Sequence, residues 1–269
     1  MYTPGPRIDR LWPEPALGLE LEVALGSLRL PPPGGPRPVV GLNMVTSLDG
    51  RAQIRGTTSG LSSRTDRRLM RWLRAPYDAV ASGAGTLRDS GLWPGVPPDL
   101  ADLRVRRGQS SQPTEVLVAG TRPVPVDATW FGHPAPRIVI VGATSPLAEP
   151  DAPPLPEGTE LLVAPTDRPA PGWILAALAA RGIGSVLLEG GPTLNASFLA
   201  ADALDEVYLT ITGKLLGTDA LRMISPVSGG SPFAEQPRAG RLVSVHRAGD
   251  ELYLRYRFTP ADPPDEAWP

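Results

Sequence analysis

Cysteine does not occur anywhere in the 269 residues. Its absence excludes disulfides, thiolate nucleophiles, iron–sulfur clusters and cysteine-ligated zinc together. Histidine is nearly absent as well: only His133 and His246 occur, in unrelated contexts. That argues against a histidine-held metal site and against a Ser-His-Asp triad. No metal is expected. Neither sign of charge is in excess, the formal net charge being -2. Neither nucleic acid nor a membrane surface is therefore expected as a partner. No apolar run approaches the roughly 20 residues that a membrane span needs. Residues 1–10 lack a signal core and a transit-peptide composition, so a cytoplasmic protein is expected. With these chemistries removed, a bound organic cofactor is the remaining source of reactivity, and the protein supplies orientation and electrostatics.

What is there is a globular composition, 41% hydrophobic, with 34 prolines. A chain of this length can bury a substantial core without staples. Residues 1–36 read as an appendage: an amphipathic stretch, residues 17–30, leads into the stiff run Pro31-Pro32-Pro33-Gly34-Gly35-Pro36. Its leucines need cover, which predicts docking on the rest. From Val39 onward, strand and helix patterns alternate. Strands are predicted over 39–46, 79–82, 115–119, 137–141, 160–164, 185–189 and 206–212. A hairpin over 242–247 and 251–258 turns at Ala248-Gly249-Asp250. Helices are predicted over 63–74, 171–181 and 192–200. Ser63 and Asp66 have capping-box spacing for the first, and Pro171 and Gly182 bracket the second. Residues 93–113, 145–158 and 225–240 read as surface loops. The main domain is drawn as 37–260, with a tail over 261–269. The expected fold is α/β: a mostly parallel sheet, helices on both faces, and an antiparallel C-terminal hairpin.

Three glycine-bearing junctions follow predicted strands: Thr46-Ser47-Leu48-Asp49-Gly50, Gly83-Ala84-Gly85-Thr86 and Glu189-Gly190-Gly191-Pro192-Thr193. Glycine lets a ligand approach the backbone closely. A helix starting at Pro192 offers free N–H groups suited to a phosphate. In an open α/β sheet ligands lie beyond the carboxyl ends of the strands, where the three junctions are expected to converge. Asp49 before glycine also fits a plain turn. Glu189 closes an apolar strand, so its carboxylate is either buried and paired or faces a ligand.

Taken in order, VGLNMVTSLDGRAQ, the helix ending Trp72-Leu73-Arg74-Ala75, ASGAGTLRDS and VLLEGGPTLNASFL resemble the reductase domain of bifunctional riboflavin-biosynthesis proteins and its stand-alone relatives, the pyrimidine reductases. The resemblance covers about residues 38–258. It implies a dihydrofolate-reductase-like three-layer sandwich, NADPH as cofactor, a homodimer, and reduction of a ribosylated or phosphoribosylated aminopyrimidine at the sugar C1′. It implies cofactor contacts for Val45, Asp49, Thr86 and Asp89 or Ser90, and for the run Gly190, Gly191, Pro192, Thr193, Leu194, Asn195 and Ser197. Thr121 and Arg122, after the 115–119 strand, are placed where this fold meets the adenosine 2′-phosphate. Ser59, Arg74 and Glu189 match substrate-contacting positions, with Arg74 near the substrate phosphate and Glu189 the candidate catalytic group. Two features depart from the family pattern. The DDPxLxVR-like run after the GxGT turn is here Asp89-Ser90-Gly91-Leu92-Trp93-Pro94-Gly95-Val96, without its arginine. Leu61 replaces a tryptophan. Two other readings stay open on these residues: a dihydrofolate or pterin reductase of the same fold, and a nucleotide-binding relative without turnover. The zinc-dependent deaminase half of the bifunctional proteins has no counterpart in a cysteine-free chain.

Overall fold

The structure, a computed structural model, describes residues 5–258 apart from 27, 34, 59, 91–94, 218, 226–232 and 234–236; the side chains of Asp89 and Ser90 are also outside the description. Its centre is one sheet in the order β2-β1-β10-β11-β9-β3-β8-β4-β5-β6-β7. Seven neighbouring strands are parallel: β9 (Glu206–Ile211), β3 (Val39–Thr46), β8 (Ser185–Leu188), β4 (Ala79–Gly83), β5 (Thr114–Gly120), β6 (Arg137–Val141) and β7 (Thr159–Val163). The hairpin β10 (Arg241–Ala248) and β11 (Glu251–Arg257) continues the sheet antiparallel beyond β9.

Helices cover both faces. On one, α5 (Pro171–Ala179) and α6 (Pro192–Ala200) bury Ile174, Leu178, Leu194 and Phe198 against Val40, Leu42, Val186 and Leu188. On the other, α2 (Arg64–Arg74) and α4 (Pro98–Arg106) bury Leu69, Trp72, Leu73 and Leu100 with Leu187 and Tyr208. Period-2 alternation along β8 divides Leu187 from Val186 and Leu188, which is why both faces are apolar. The layered α/β architecture inferred from sequence is the one observed.

Residues 7–25, set apart as an appendage by the sequence, lie within this architecture. β1 (Arg7–Trp12) pairs with β10, β2 (Ala16–Glu20) pairs with β1, and Leu21 and Leu25 of α1 (Leu21–Leu25) join the core beside Leu69 and Leu73. The amphipathic stretch thus begins in strand β2 and continues through helix α1 to Leu25.

Two local expectations need correction. Residues 93–113 are not all loop, because α4 runs through them, started by Pro98 at its first turn. The junction Gly83-Ala84-Gly85 has no intervening loop: β4 ends at Gly83 and α3 (Ala84–Ser90) begins at once. Low hydropathy and high arginine content hide α4. It is held by Leu100 and by Arg104, which is fully buried. At the N-terminus of α2, Ser63 accepts from the Asp66 N–H at 3.0 Å, the capping half of the motif. Asp66 does not reach back to Ser63. Its carboxylate accepts instead from the Ser62 hydroxyl at 2.6 Å.

Arg104 secures the other end of α2. Its Nη1 donates to the carbonyls of Ala75 at 2.9 Å and Tyr77 at 2.6 Å, and its Nε donates to Ser110 O at 2.9 Å. The Ala75 carbonyl, at the C-cap of α2, is one that a helix terminus leaves without a partner; Tyr77 O and Ser110 O belong to the chain just beyond α2 and α4. Burial lowers the Arg104 pKa to about 10, still charged at neutral pH. Arg104→Met should therefore cost roughly 2–3 kcal/mol in urea unfolding, since it strands buried acceptors. A loss under about 0.5 kcal/mol, the range of ordinary surface changes, would refute this capping role. Among the described residues no helix is long and apolar enough to cross a membrane.

Candidate active site

The three glycine junctions meet because β3, β8 and β4 are adjacent and parallel, so their carboxyl ends share one edge of the sheet. The Gly83 N–H donates to Gly190 O at 2.8 Å, joining the β4 and β8 ends directly. The Gly190–Gly191 peptide is cis. A Cβ on Gly83 would sit 3.2 Å from the Gly191 amide nitrogen, and one on Gly191 would sit 3.2 Å from Thr86 Oγ1. The backbone here is as close-set as glycine permits. Above it stands the first turn of α6, with Gly191 as N-cap and Pro192 at its start. The Thr193 and Leu194 N–H groups of that turn have no intrahelical acceptor by construction.

Helical periodicity decides which side chains of the Gly190–Ser197 run can meet a ligand. Thr193 is exposed, whereas Leu194 and Asn195 are buried. Leu194 packs with Phe198 in the core. Asn195 Nδ2 donates to Met223 O at 2.7 Å, and Ser197 Oγ turns back to Leu194 O at 2.8 Å. The expected cradle is therefore corrected for Leu194, Asn195 and Ser197: the backbone of the first turn and Thr193 face outward, and those three side chains face inward. Asn195 Oδ1 is buried without a partner.

Asp49 also has a different occupation from the one inferred. Its Oδ1 accepts from the Ser47 hydroxyl at 2.6 Å and the Leu216 N–H at 3.1 Å, and its Oδ2 from the Gly217 N–H at 2.9 Å. These donors, Ser47 first, hold its carboxyl well below the usual carboxylate range. Asp49 clips the loop after β3 to residues 216–217. Val45 is half-buried at the end of β3, and Thr86 lies half-buried in the first turn of α3. Thr121 and Arg122 are exposed just past β5. Ser59 lies outside the described residues.

Arg74 and Glu189 come together. Arg74 Nε donates to Glu189 Oε1 at 2.8 Å and Nη2 to Oε2 at 2.6 Å, a bidentate pair whose side chains are 5% and 8% exposed. Nη1 donates to Gly95 O at 2.8 Å. Burial alone lowers the Arg74 pKa, but the charge and hydrogen bonds of Glu189, with Glu115, overcome it and raise it. The inferred direct grip of Arg74 on a substrate phosphate does not fit this enclosure, because its guanidinium fork is turned inward onto Glu189 and the Gly95 carbonyl. Of the two possibilities for Glu189, buried pairing is the one realised, at the end of β8 beside the glycine cradle.

Sequence reasoning missed Glu115. It is 5% exposed in β5, accepts from the Gly95 N–H at 2.6 Å, and shares the field of Arg74 with Glu189. The signal was available: a carboxylate inside the apolar strand TEVLVAG is the same pattern that marked Glu189. Burial raises its pKa to about 7, against the opposing pull of Arg74 and the Gly95 N–H. The folded protein thus holds a proton there more tightly than the unfolded chain. Stability is expected to fall as pH climbs from the ordinary 4.5 toward about 7, and to flatten above it. Glu115→Gln, which keeps an acceptor for Gly95, should remove this slope. Urea unfolding from about pH 5 to about pH 8 checks it, and an unchanged slope in the variant would show that another group carries the proton.

A two-faced α/β sheet with its crevice at the carboxyl ends of parallel strands defines the class. Within that class the chain belongs to the RibD C-terminal domain family, whose model matches residues 38–251. It is 30% identical over 224 residues to the 2,5-diamino-6-ribosylamino-4(3H)-pyrimidinone 5′-phosphate reductase of Methanothermobacter thermautotrophicus, covering 82% of this chain and 98% of that protein. Its identity to the reductase of the same name from Archaeoglobus fulgidus is 27%, over 82% and 99% of the two chains. The fold matches that of a pyrimidine reductase-like protein from Corynebacterium diphtheriae with a TM-score of 0.71 at 21% identity, over 88% of this chain and 97% of that one.

Proposed function

We propose that this protein is an NADPH-dependent reductase of riboflavin biosynthesis, acting on a ribosylamino-pyrimidinone 5′-phosphate. The observation that carries the reading is the placement of the Glu189–Arg74 pair directly beside the glycine cradle at the ends of β4 and β8. The reductase names of relatives that span nearly their whole length support the reaction class. The residues present fit a dinucleotide: Gly83 and Gly191 leave no Cβ in the cradle, and the α6 N-terminus aims N–H groups at a pyrophosphate. When bound, NADPH supplies a hydride.

The chain's own work is positioning. Glu189, fixed by two charge-assisted hydrogen bonds, presents an acceptor whose orientation does not need to be reorganised when substrate arrives. Arg74 is a positioning residue for Glu189 rather than a phosphate ligand. Val45 and Thr86 flank the cofactor, and Thr193 and the Gly190–Pro192 backbone meet its phosphates. Asp49 shapes the rim by clipping its two loops. A homodimer belongs to this reading: exposed Leu48, Leu215 and Leu221 lie on loops tied together through Leu48 N–Lys214 O and Ala52 N–Leu221 O.

The deciding experiment follows NADPH oxidation with the pyrimidine substrate and with dihydrofolate. Turnover of the pyrimidine is expected. Turnover of dihydrofolate alone would replace the riboflavin reading, and turnover of neither would favour a binding protein. Cofactor choice is tested separately. Arg122 is exposed past β5 and able to pair with a 2′-phosphate, so Arg122→Ala should weaken NADPH about tenfold while leaving NADH nearly unchanged. Equal losses for both cofactors, measured by calorimetry, would place the 2′-phosphate elsewhere.

A further inference from the structure

Between α1, α2 and the antiparallel strands β10 and β11, at the border with β9, lies a half-open cleft with about 170 Å³ of free space. It shares no lining residue with the site built around Glu189 and Gly191. Leu25, Leu69 and Leu73 form its apolar wall, and Arg10, His246 and Arg255 supply its polar atoms. Two of those atoms are anomalous. His246 Nε2 and Arg255 Nε are buried without hydrogen-bond partners, in a residue 6% exposed and in a side chain 13% exposed. An unpartnered buried polar atom costs stability and calls for an explanation.

The charged groups around the cleft are already paired, Arg10 with Glu14 and Arg255 with Glu206. The nearby carboxylates are already engaged: Glu206 accepts from Tyr208, Arg255 and Arg257, and Glu251 accepts from Ser63 and Tyr253. Burial and the charge of Arg10 push the His246 pKa down to about 4, so its imidazole is neutral at pH 7. Arg10 is itself engaged, its Nε donating to Glu14 O at 2.6 Å and its Nη2 lying 3.9 Å from Glu14 Oε2, so what remains without a partner at the cleft is an N–H of Arg255 and a ring nitrogen of His246. A guanidinium can only donate, so the missing partner must accept. The free space matches a single ring or a short alkyl chain, being close to the roughly 150 Å³ of an apolar cavity that holds benzene.

We propose that this cleft is a second ligand site, for a small carboxylate with an aromatic or short aliphatic body. The body lies against Leu25, Leu69 and Leu73. The carboxylate accepts from His246 and Arg255 beside Arg10. The roof is α1, so the site exists only because residues 7–25 have joined the sheet.

The test uses the full chain and benzoate as probe. The chain has only two histidines, so nitrogen-15 spectra of the imidazoles report on the cleft with His133 as internal control. Benzoate should shift the His246 resonances saturably and leave those of His133 unmoved, while benzylamine, of the same shape and opposite charge, should shift neither. Arg10→Gln should weaken benzoate about tenfold, the loss expected for a charge-assisted contact. NADPH should not displace the probe. A shift that never saturates, an equal response to benzylamine, simultaneous movement of both histidines, or displacement by NADPH would each overturn the proposal. A His246 shift that tracks protein concentration without benzoate would put a second copy in the cleft and overturn it as well. The wild-type titration decides the matter even where a variant fails to fold.

Discussion

Arg74→Ala is expected to destabilise the protein by about 3–5 kcal/mol, the usual loss when one partner of a buried ion pair is removed. The size follows from what is left behind. Glu189 would keep a charge in a site where its side chain is 8% exposed, having lost both donors at 2.8 and 2.6 Å, and Gly95 O would lose a third. A surface arginine at a helix C-terminus is worth at most about 1 kcal/mol in such an exposed position. The two situations are therefore separable by urea unfolding: a loss of about 1 kcal/mol or less would show that Arg74 serves only the helix end. Removing both charges tests the same point differently. The double variant Arg74→Met/Glu189→Leu should recover most of the stability, because well-packed apolar residues can replace a buried pair. It should remain inactive, because the acceptor beside the cradle is gone. Arg74→Lys should fall between, since an ammonium cannot reproduce the bidentate fork. Recovered stability without recovered activity would separate the structural work of the pair from its catalytic placement.

The second large effect is expected at Gly191. In Gly191→Val the first side-chain atom alone lies 3.2 Å from Thr86 Oγ1, and the branched methyl groups must extend past it toward the α6 N-terminus. That space is the proposed place of the pyrophosphate, so NADPH affinity should fall at least about 100-fold, equivalent to roughly 2.7 kcal/mol. The fold should survive, because Gly191 has φ -76, a value open to any residue. Calorimetry with NADPH and thermal unfolding together give the answer. Unchanged affinity in a folded variant would remove α6 from the cofactor site. Gly190 is the wrong position for this test, because its φ of 92 makes any side chain there strained for reasons unrelated to the ligand.

From Val39 onward the sequence by itself determined the type of every long element except α3 and α4, and the gathering of the three glycine junctions. The apolar runs VVGLNMVT and SVLL read as buried strands, and Pro192 and Ser63 marked helix starts, because these signals are local and depend on residues a few positions apart. Adjacency of the glycine junctions followed from the general rule that parallel strands offer their carboxyl ends together. The tertiary structure decided everything that depends on register between distant segments. Arg74 and Glu189 are 115 positions apart, and Asp49 and Gly217 are 168 apart. No periodicity in either segment encodes which donor will face which carboxylate. Periodicity of α6 could have turned Leu194 and Asn195 inward from the sequence alone, but a motif carried over as a continuous run hides the helical phase. The N-terminal segment shows the limit most plainly. Its leucines announce a need for burial, and only the pairing of β1 with β10 determines that Leu21 and Leu25 are buried over α2 while Leu17 stays exposed. Strand partners form through backbone hydrogen bonds that every residue except proline can make, so the choice between them is made by the whole sheet and its packed faces.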